Sequence, residues 1–202
     1  MQRFAALNIQ ARSGQKMDTA FCFAFRREVR RIFESGEAQV HVIALGDNDL
    51  REAIDARKVA GAYQQMEEMT HRLQSLINTC NETPDCHLTI LTPLPSPKYH
   101  RYTDMWERSC YTMRTTAAQT RSPNTTVRNI TKRYMGPVYN IRGTITGWDV
   151  IKSLFGHDGV HLSTSGVDVL IEEIVLALKV TPRFAFETDL RRVIDRVRQH
   201  KD

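Results

Sequence analysis

Apolar positions along the chain fall into two spacings, and the alternation between them sets the expected fold. Residues 38–45 form a nearly unbroken apolar run, too short for a core helix, that opens directly into Gly46-Asp47-Asn48-Asp49. Residues 86–92 form a second such run, followed by Pro93, Pro95 and Pro97, which exclude a helix immediately after it. Both read as buried strands. Residues 4–12 read as a shorter strand ending at Ser13-Gly14.

Between these runs the period changes to that of a helix. Asp18 is placed to cap a helix reaching about residue 35, with Phe21, Phe25, Val29, Ile32 and Phe33 on one face and Gly36 as its stop. Arg26, Arg27, Arg30 and Arg31 lie mostly off that stripe. A long helical stretch is expected from about 51 to 80, with a break near 58–61. Met66, Met69, Leu73, Leu76 and Ile77 supply its core face. A further helix is expected from 99 to about 118, then a surface loop over 119–126 and irregular chain with a short strand within 127–150. Val167, Leu170, Ile171, Ile174, Val175 and Leu178 give a wide apolar face to a helix from Ser165 or Gly166 to about Lys179. Thr181-Pro182 breaks that pattern, and 186–201 reads as a basic C-terminal helix.

Short buried strands alternating with helices predict an α/β protein: a three-layer α/β/α sandwich with a parallel sheet. In such sheets ligands bind beyond the carboxyl ends of the strands. Gly14, the 46–49 turn and a later loop at 158–161 should all lie on that rim. The chain has 202 residues, 41% of them hydrophobic, which suits one domain with a sizeable core. The expected division is a domain over 1–180 and a basic tail over 181–202. No apolar run approaches the roughly 20 residues that a membrane-spanning helix needs, and the first residues show no leader-like apolar segment.

Cys22, Cys80, Cys86 and Cys110 form no metal-type Cys-x-x-Cys pair and suit reduced thiols, which favours a cytoplasmic protein. Cys80 and Cys86 nevertheless flank a short turn, and a bridge between them stays open. Asn-x-Ser/Thr tripeptides occur at Asn81, Asn124 and Asn129. The net charge of +5 comes with basic runs at 26–31, 121–133 and 191–201. These make nucleic acid a conceivable partner, although solvated helix faces account for them more simply, since no aromatic-interleaved basic motif is visible.

The chemistry centres on Asp158-Gly159-Val160-His161. A carboxylate three residues ahead of a histidine can accept the imidazole N–H, fix its tautomer and stabilise the imidazolium as the other nitrogen takes a proton. Metal-dependent hydrolysis by His157, Asp158, His161 and Asp49 is disfavoured, because no helical His-x-x-x-His pair accompanies them. No cofactor is expected. His41, His71, His87 and His100 read as structural.

The order of these motifs resembles the SGNH hydrolase superfamily, the GDSL-type esterases, over roughly residues 5–180. Gly46-Asp47-Asn48-Asp49 matches the family's Gly-x-Asn-Asp, Asp158-Gly159-Val160-His161 its Asp-x-x-His, and Gly14 its isolated glycine. The resemblance implies a flavodoxin-like SGNH fold and a small ester or acyl substrate. His161 would be the base and Asp158 its orienting partner, with Asn48 and the Gly14 N–H donating to the oxyanion.

Two departures accompany it. Asp47 stands where the family has a small or hydroxyl residue, and in a pocket its charge would oppose an oxyanion. The family's Gly-Asp-Ser is absent, and with it the nucleophile; Ser13, next to Gly14, suits only turn chemistry. The first central strand is then missing too. The expectation is an SGNH-type domain truncated at its N-terminus, a fragment in preference to a degenerate copy, inactive or nearly so as written. The alternative is a non-catalytic module of the kind found in retroelement-encoded proteins, binding nucleic acid or protein.

Overall fold

The structure, a computed structural model, describes residues 15–55, 59–130 and 147–179. The expected strand over 4–12, Ser13, Gly14 and the basic helix over 186–201 lie outside the described residues. Ten elements follow in order. They are α1 (Thr19–Glu34), β1 (Gln39–Ala44), α2 (Asp47–Asp55), α3 (Val59–Asn81), β2 (Cys86–Leu91) and a 3-10 helix (Pro97–Tyr102), then α4 (Thr103–Gln119), β3 (Thr125–Arg128), α5 (Gly147–Ser153) and α6 (Thr164–Lys179).

The strands form a parallel sheet in the order β1-β2-β3, with Ile43 beside Ile90 and Ile90 beside Val127. Register puts Ile43, Leu88 and Ile90 on one face, where they join a buried core with Phe25 and Val29 of α1, Leu73, Leu76 and Ile77 of α3, and Met113 of α4. Each such aliphatic side chain contributes about 1.5–3 kcal/mol on burial. The opposite face carries Val42, Thr89 and Arg128. There α6 contacts β1, and its Glu173, only 1% exposed, receives the Arg128 guanidinium at 2.8 Å. Helices therefore cover both faces, giving the three layers. Among the described residues no helix is long and apolar enough to cross a membrane.

Local signals explain most boundaries. The Asp18 carboxylate accepts from Phe21 N–H at 2.7 Å and caps α1. Gly36, at φ +75°, takes the left-handed conformation just past its end. Pro97 opens the 3-10 helix, where its missing N–H costs nothing.

Four expectations need correction. The helix expected from about residue 51 starts at Asp47: Leu50 N–H already bonds Gly46 O at 3.2 Å, and Asp47 and Asp49 suit the positive end of a helix dipole. Residues 125–128 are a strand and not the end of a loop, as two threonines and a valine favour. A helix at 147–153 stands in the stretch read as irregular. Phe33 is 47% exposed, because at 100° per residue it lies about 80° round the helix from Phe25, on the flank of the apolar stripe.

Candidate functional site

Asp158 and His161 sit on a closed loop with a firm base. A bridge pairs Phe155 with Leu162 in antiparallel fashion. Gly156 N–H donates to His161 O at 2.8 Å, and Ser163 N–H to Leu154 O at 2.9 Å. Ile151, Leu154 and Phe155 bury together against Leu94, Leu162 and Val169, so the loop stem is a small core of its own. Ser163 then starts α6, its Oγ accepting from Gly166 N–H at 3.2 Å.

At the loop tip the two side chains hold each other. His161 Nδ1 lies 2.5 Å from an Asp158 carboxylate oxygen, and the other oxygen accepts from the N–H groups of Val160 and His161 at 2.9 and 3.0 Å. The His161 contact and those two backbone donors hold the Asp158 carboxyl well below the usual carboxylate range. With Nδ1 committed to the carboxylate, Nε2 is left to exchange protons. The imidazole is 80% exposed.

The turn after β1 is of a different kind. Asp49 is fully buried; its oxygens accept from Met17 N–H at 3.0 Å and from the Gln65 amide at 3.5 Å, and burial pushes its pKa up. Asp47 is half-buried, its side chain 29% exposed. It accepts from Trp106 Nε1 at 3.3 Å and pairs with Arg51 at 2.9 Å, while its burial raises its pKa. Asn48 Nδ2 donates to Gln15 O at 2.9 Å, and its Oδ1 accepts from Arg51. The Asn48 amide thus lies beside the residue that follows Gly14. Gly14 itself is outside the described residues.

The segment after β2 joins the two regions. Ser96 Oγ and Lys98 N–H both donate to Gly159 O, the latter at 3.2 Å. Gly159 is at φ +65°, and a Cβ there would meet Lys98 N at 3.0 Å, so the docked loop favours a glycine at this position. One residue on, Tyr99 OH donates to Asp55 of α2 at 2.7 Å, and its ring stacks on Trp106. Burial, then the Asp55 contact, pushes the Tyr99 hydroxyl up to about 12.

Asp158 and His161 are therefore brought together, and both regions lie beyond the carboxyl ends of the strands. Among the described residues no hydrogen bond joins Asn48 to either of them. The hydroxyls beside the loop are occupied: Ser96 is fully buried on Gly159 O, and Ser163 donates to Ser153 O at 2.9 Å. Neither offers a nucleophile. No group of three metal-binding side chains occurs among the described residues, and Asp49 spends its oxygens on Met17 and Gln65. Ser96, Lys98 and Gly166 support the loop but carry no sequence signal beyond a proline-rich stretch and one glycine.

No family model, curated protein or solved structure matches the chain.

Proposed function

We propose that the chain is an SGNH-type hydrolase-like domain in which Asp158 and His161 are the proton-handling half of an acyl-transfer site. The Asp158–His161 contact, reinforced by two backbone N–H bonds to the same carboxylate, carries this reading. His161 Nε2 takes the proton of an attacking oxygen, and Asp158 stabilises the imidazolium that results. Asn48, with one amide hydrogen given to Gln15 O, retains a second for an oxyanion, and the resemblance assigns the other donor to the Gly14 N–H. These 202 residues contain no Gly-Asp-Ser, so with this chain alone the attacking oxygen we propose is water, and turnover is slow. The test is hydrolysis of p-nitrophenyl acetate and butyrate. The expected result is slow, saturable turnover, lost in His161→Ala, reduced in Asp158→Asn and unchanged in Ser13→Ala. Wild-type rates in His161→Ala would sink the hydrolase reading. Loss in Ser13→Ala would show that a serine nucleophile is present after all.

A second reading is supported by α1. Its outer face presents Phe23, 69% exposed, and Phe33 among the exposed Arg26, Arg27 and Arg30. Since α1 runs from the Met17–Asp49 contact to the amino end of β1, Arg30 and Phe33 lie away from the His161 rim. Arginines for phosphates with aromatic rings for bases suit single-stranded nucleic acid. Affinity for a labelled oligonucleotide should fall steeply with salt and collapse in Arg27→Glu/Arg30→Glu. A salt-independent or unaltered affinity would remove this reading.

A further inference from the structure

Two thiols lie in contact at the other end of the sheet. Cys80 closes α3 and Cys86 opens β2; both are fully buried, and their sulfurs are 2.9 Å apart. A disulfide needs about 2.0 Å, so the sulfurs must close by less than about 1 Å with the elements already in place. The turn between them, residues 81–85, is mostly exposed. The two backbone bonds that close it on the cysteines are long, Thr83 N–H to Cys80 O at 3.3 Å and Cys86 N–H to Thr83 O at 3.4 Å, while Glu82 N–H to Asn78 O and Gln39 N–H to Asp85 O anchor its ends at 2.9 and 3.0 Å; Asp85 sits at φ +53°. Local opening of such a turn is the cheapest route by which a small oxidant reaches buried sulfur.

We propose that Cys80 and Cys86 are a redox modification site, a buried dithiol that hydrogen peroxide converts to an intramolecular disulfide across the 81–85 turn. Cys86 is the attacking sulfur. The Cys80 and Cys86 thiols share a hydrogen bond and the His41 imidazole lies beside Cys86, which together bring the Cys86 thiol down. Gln39, the strand neighbour of Cys86, bonds His41 Nε2 at 2.7 Å and holds that ring in place. The Cys86 thiolate attacks one peroxide oxygen; the O–O bond breaks, hydroxide leaves and a sulfenic acid forms. The Cys80 sulfur then displaces the sulfenic oxygen, which departs as water with the Cys80 proton. Two thiols and one peroxide become one disulfide and two waters. The link stands at the amino end of β2, away from His161, so it does not depend on the hydrolase reading.

The test uses the full reduced chain, treated with hydrogen peroxide, alkylated and digested. The expected product is a Cys80–Cys86 linked peptide, lighter by two hydrogens and restored by dithiothreitol, with the Tm of the oxidised protein raised by roughly 5 °C. Cys22→Ser/Cys110→Ser should react as the wild type does. In Cys80→Ser, Cys86 should be trapped by dimedone as the sulfenic acid. Both thiols remaining alkylatable after peroxide, or Cys86 passing to sulfinic acid unpaired, would overturn the proposal. An unchanged Tm in the linked protein would overturn the staple.

Discussion

Two Asp-containing stretches, the turn at 46–49 and the loop at 158–161, are expected on one rim, and the structure treats them in opposite ways. In the turn both carboxylates are spent on the fold, Asp49 on Met17 and Gln65 and Asp47 on Trp106 and Arg51, while Asn48 gives one amide hydrogen to Gln15 and its oxygen to Arg51. In the loop the tip side chains are exposed and spend themselves on each other, while the stem beneath is buried. The same residue type is a buried structural brace in one place and half of an exposed pair in the other. Burial decides which, because a buried carboxylate must be satisfied by the protein before it is free for anything else.

The comparison can be broken most forcefully under the loop. An alanine Cβ at Gly166 would lie 1.9 Å from Leu154 O, a backbone atom that cannot step aside. Gly166→Ala should cost about 3 kcal/mol and lower Tm by roughly 10 °C in thermal unfolding. A wild-type Tm would mean that the loop stem is not the packed base described.

Asp49→Ala comes next. It leaves the buried Met17 N–H without its acceptor, at about 1–3 kcal/mol, or roughly 3–10 °C. Asp49→Asn, whose amide oxygen can still accept from Met17, should recover most of that loss. Equal losses in both would assign the effect to charge and not to the hydrogen bond.

Gly159→Ala forces a side chain into φ +65° against Lys98 N and should cost about 1–2 kcal/mol. Circular dichroism would show the smaller Tm loss, and ester turnover should fall with it as the loop shifts.

The smallest effect is expected at the exposed pair. Asp158→Asn should leave Tm at neutral pH within about 2 °C. Because folding depresses the Asp158 pKa, its contribution is complete above about pH 4 and is lost as pH falls through the native value. The acid limb of the stability–pH curve should therefore flatten in Asp158→Asn. A neutral-pH loss as large as that of Asp49→Ala would erase the distinction between turn and loop.

Legibility follows the same physics. β1, β2, α1 and α6 were readable because their apolar spacing and caps are local; Asp18 and Gly36 act within one helical turn of themselves. The Asp158–His161 contact was readable for the same reason, as three residues of chain hold it. What stayed hidden depends on distant partners. Nothing near Asp47 announces that Trp106 will bond it, and nothing near Ser96 announces Gly159. The exposed aromatics of α1 were missed because the apolar period assigns Phe33 to the core stripe and says nothing of Phe23, which only a count of covering neighbours reveals.

The ties that hold α6 and its loop span great lengths of chain: 63 residues separate Ser96 from Gly159, and 45 separate Arg128 from Glu173. The described strands are complete once residue 128 has been made, yet neither tie can close then. During synthesis the sheet face that awaits α6 must wait with Arg128 unpaired until more than forty further residues have left the ribosome. In that interval a nascent chain has most of its core but neither α6 nor the Asp158–His161 loop, so that pair is ordered only after the sheet beneath it.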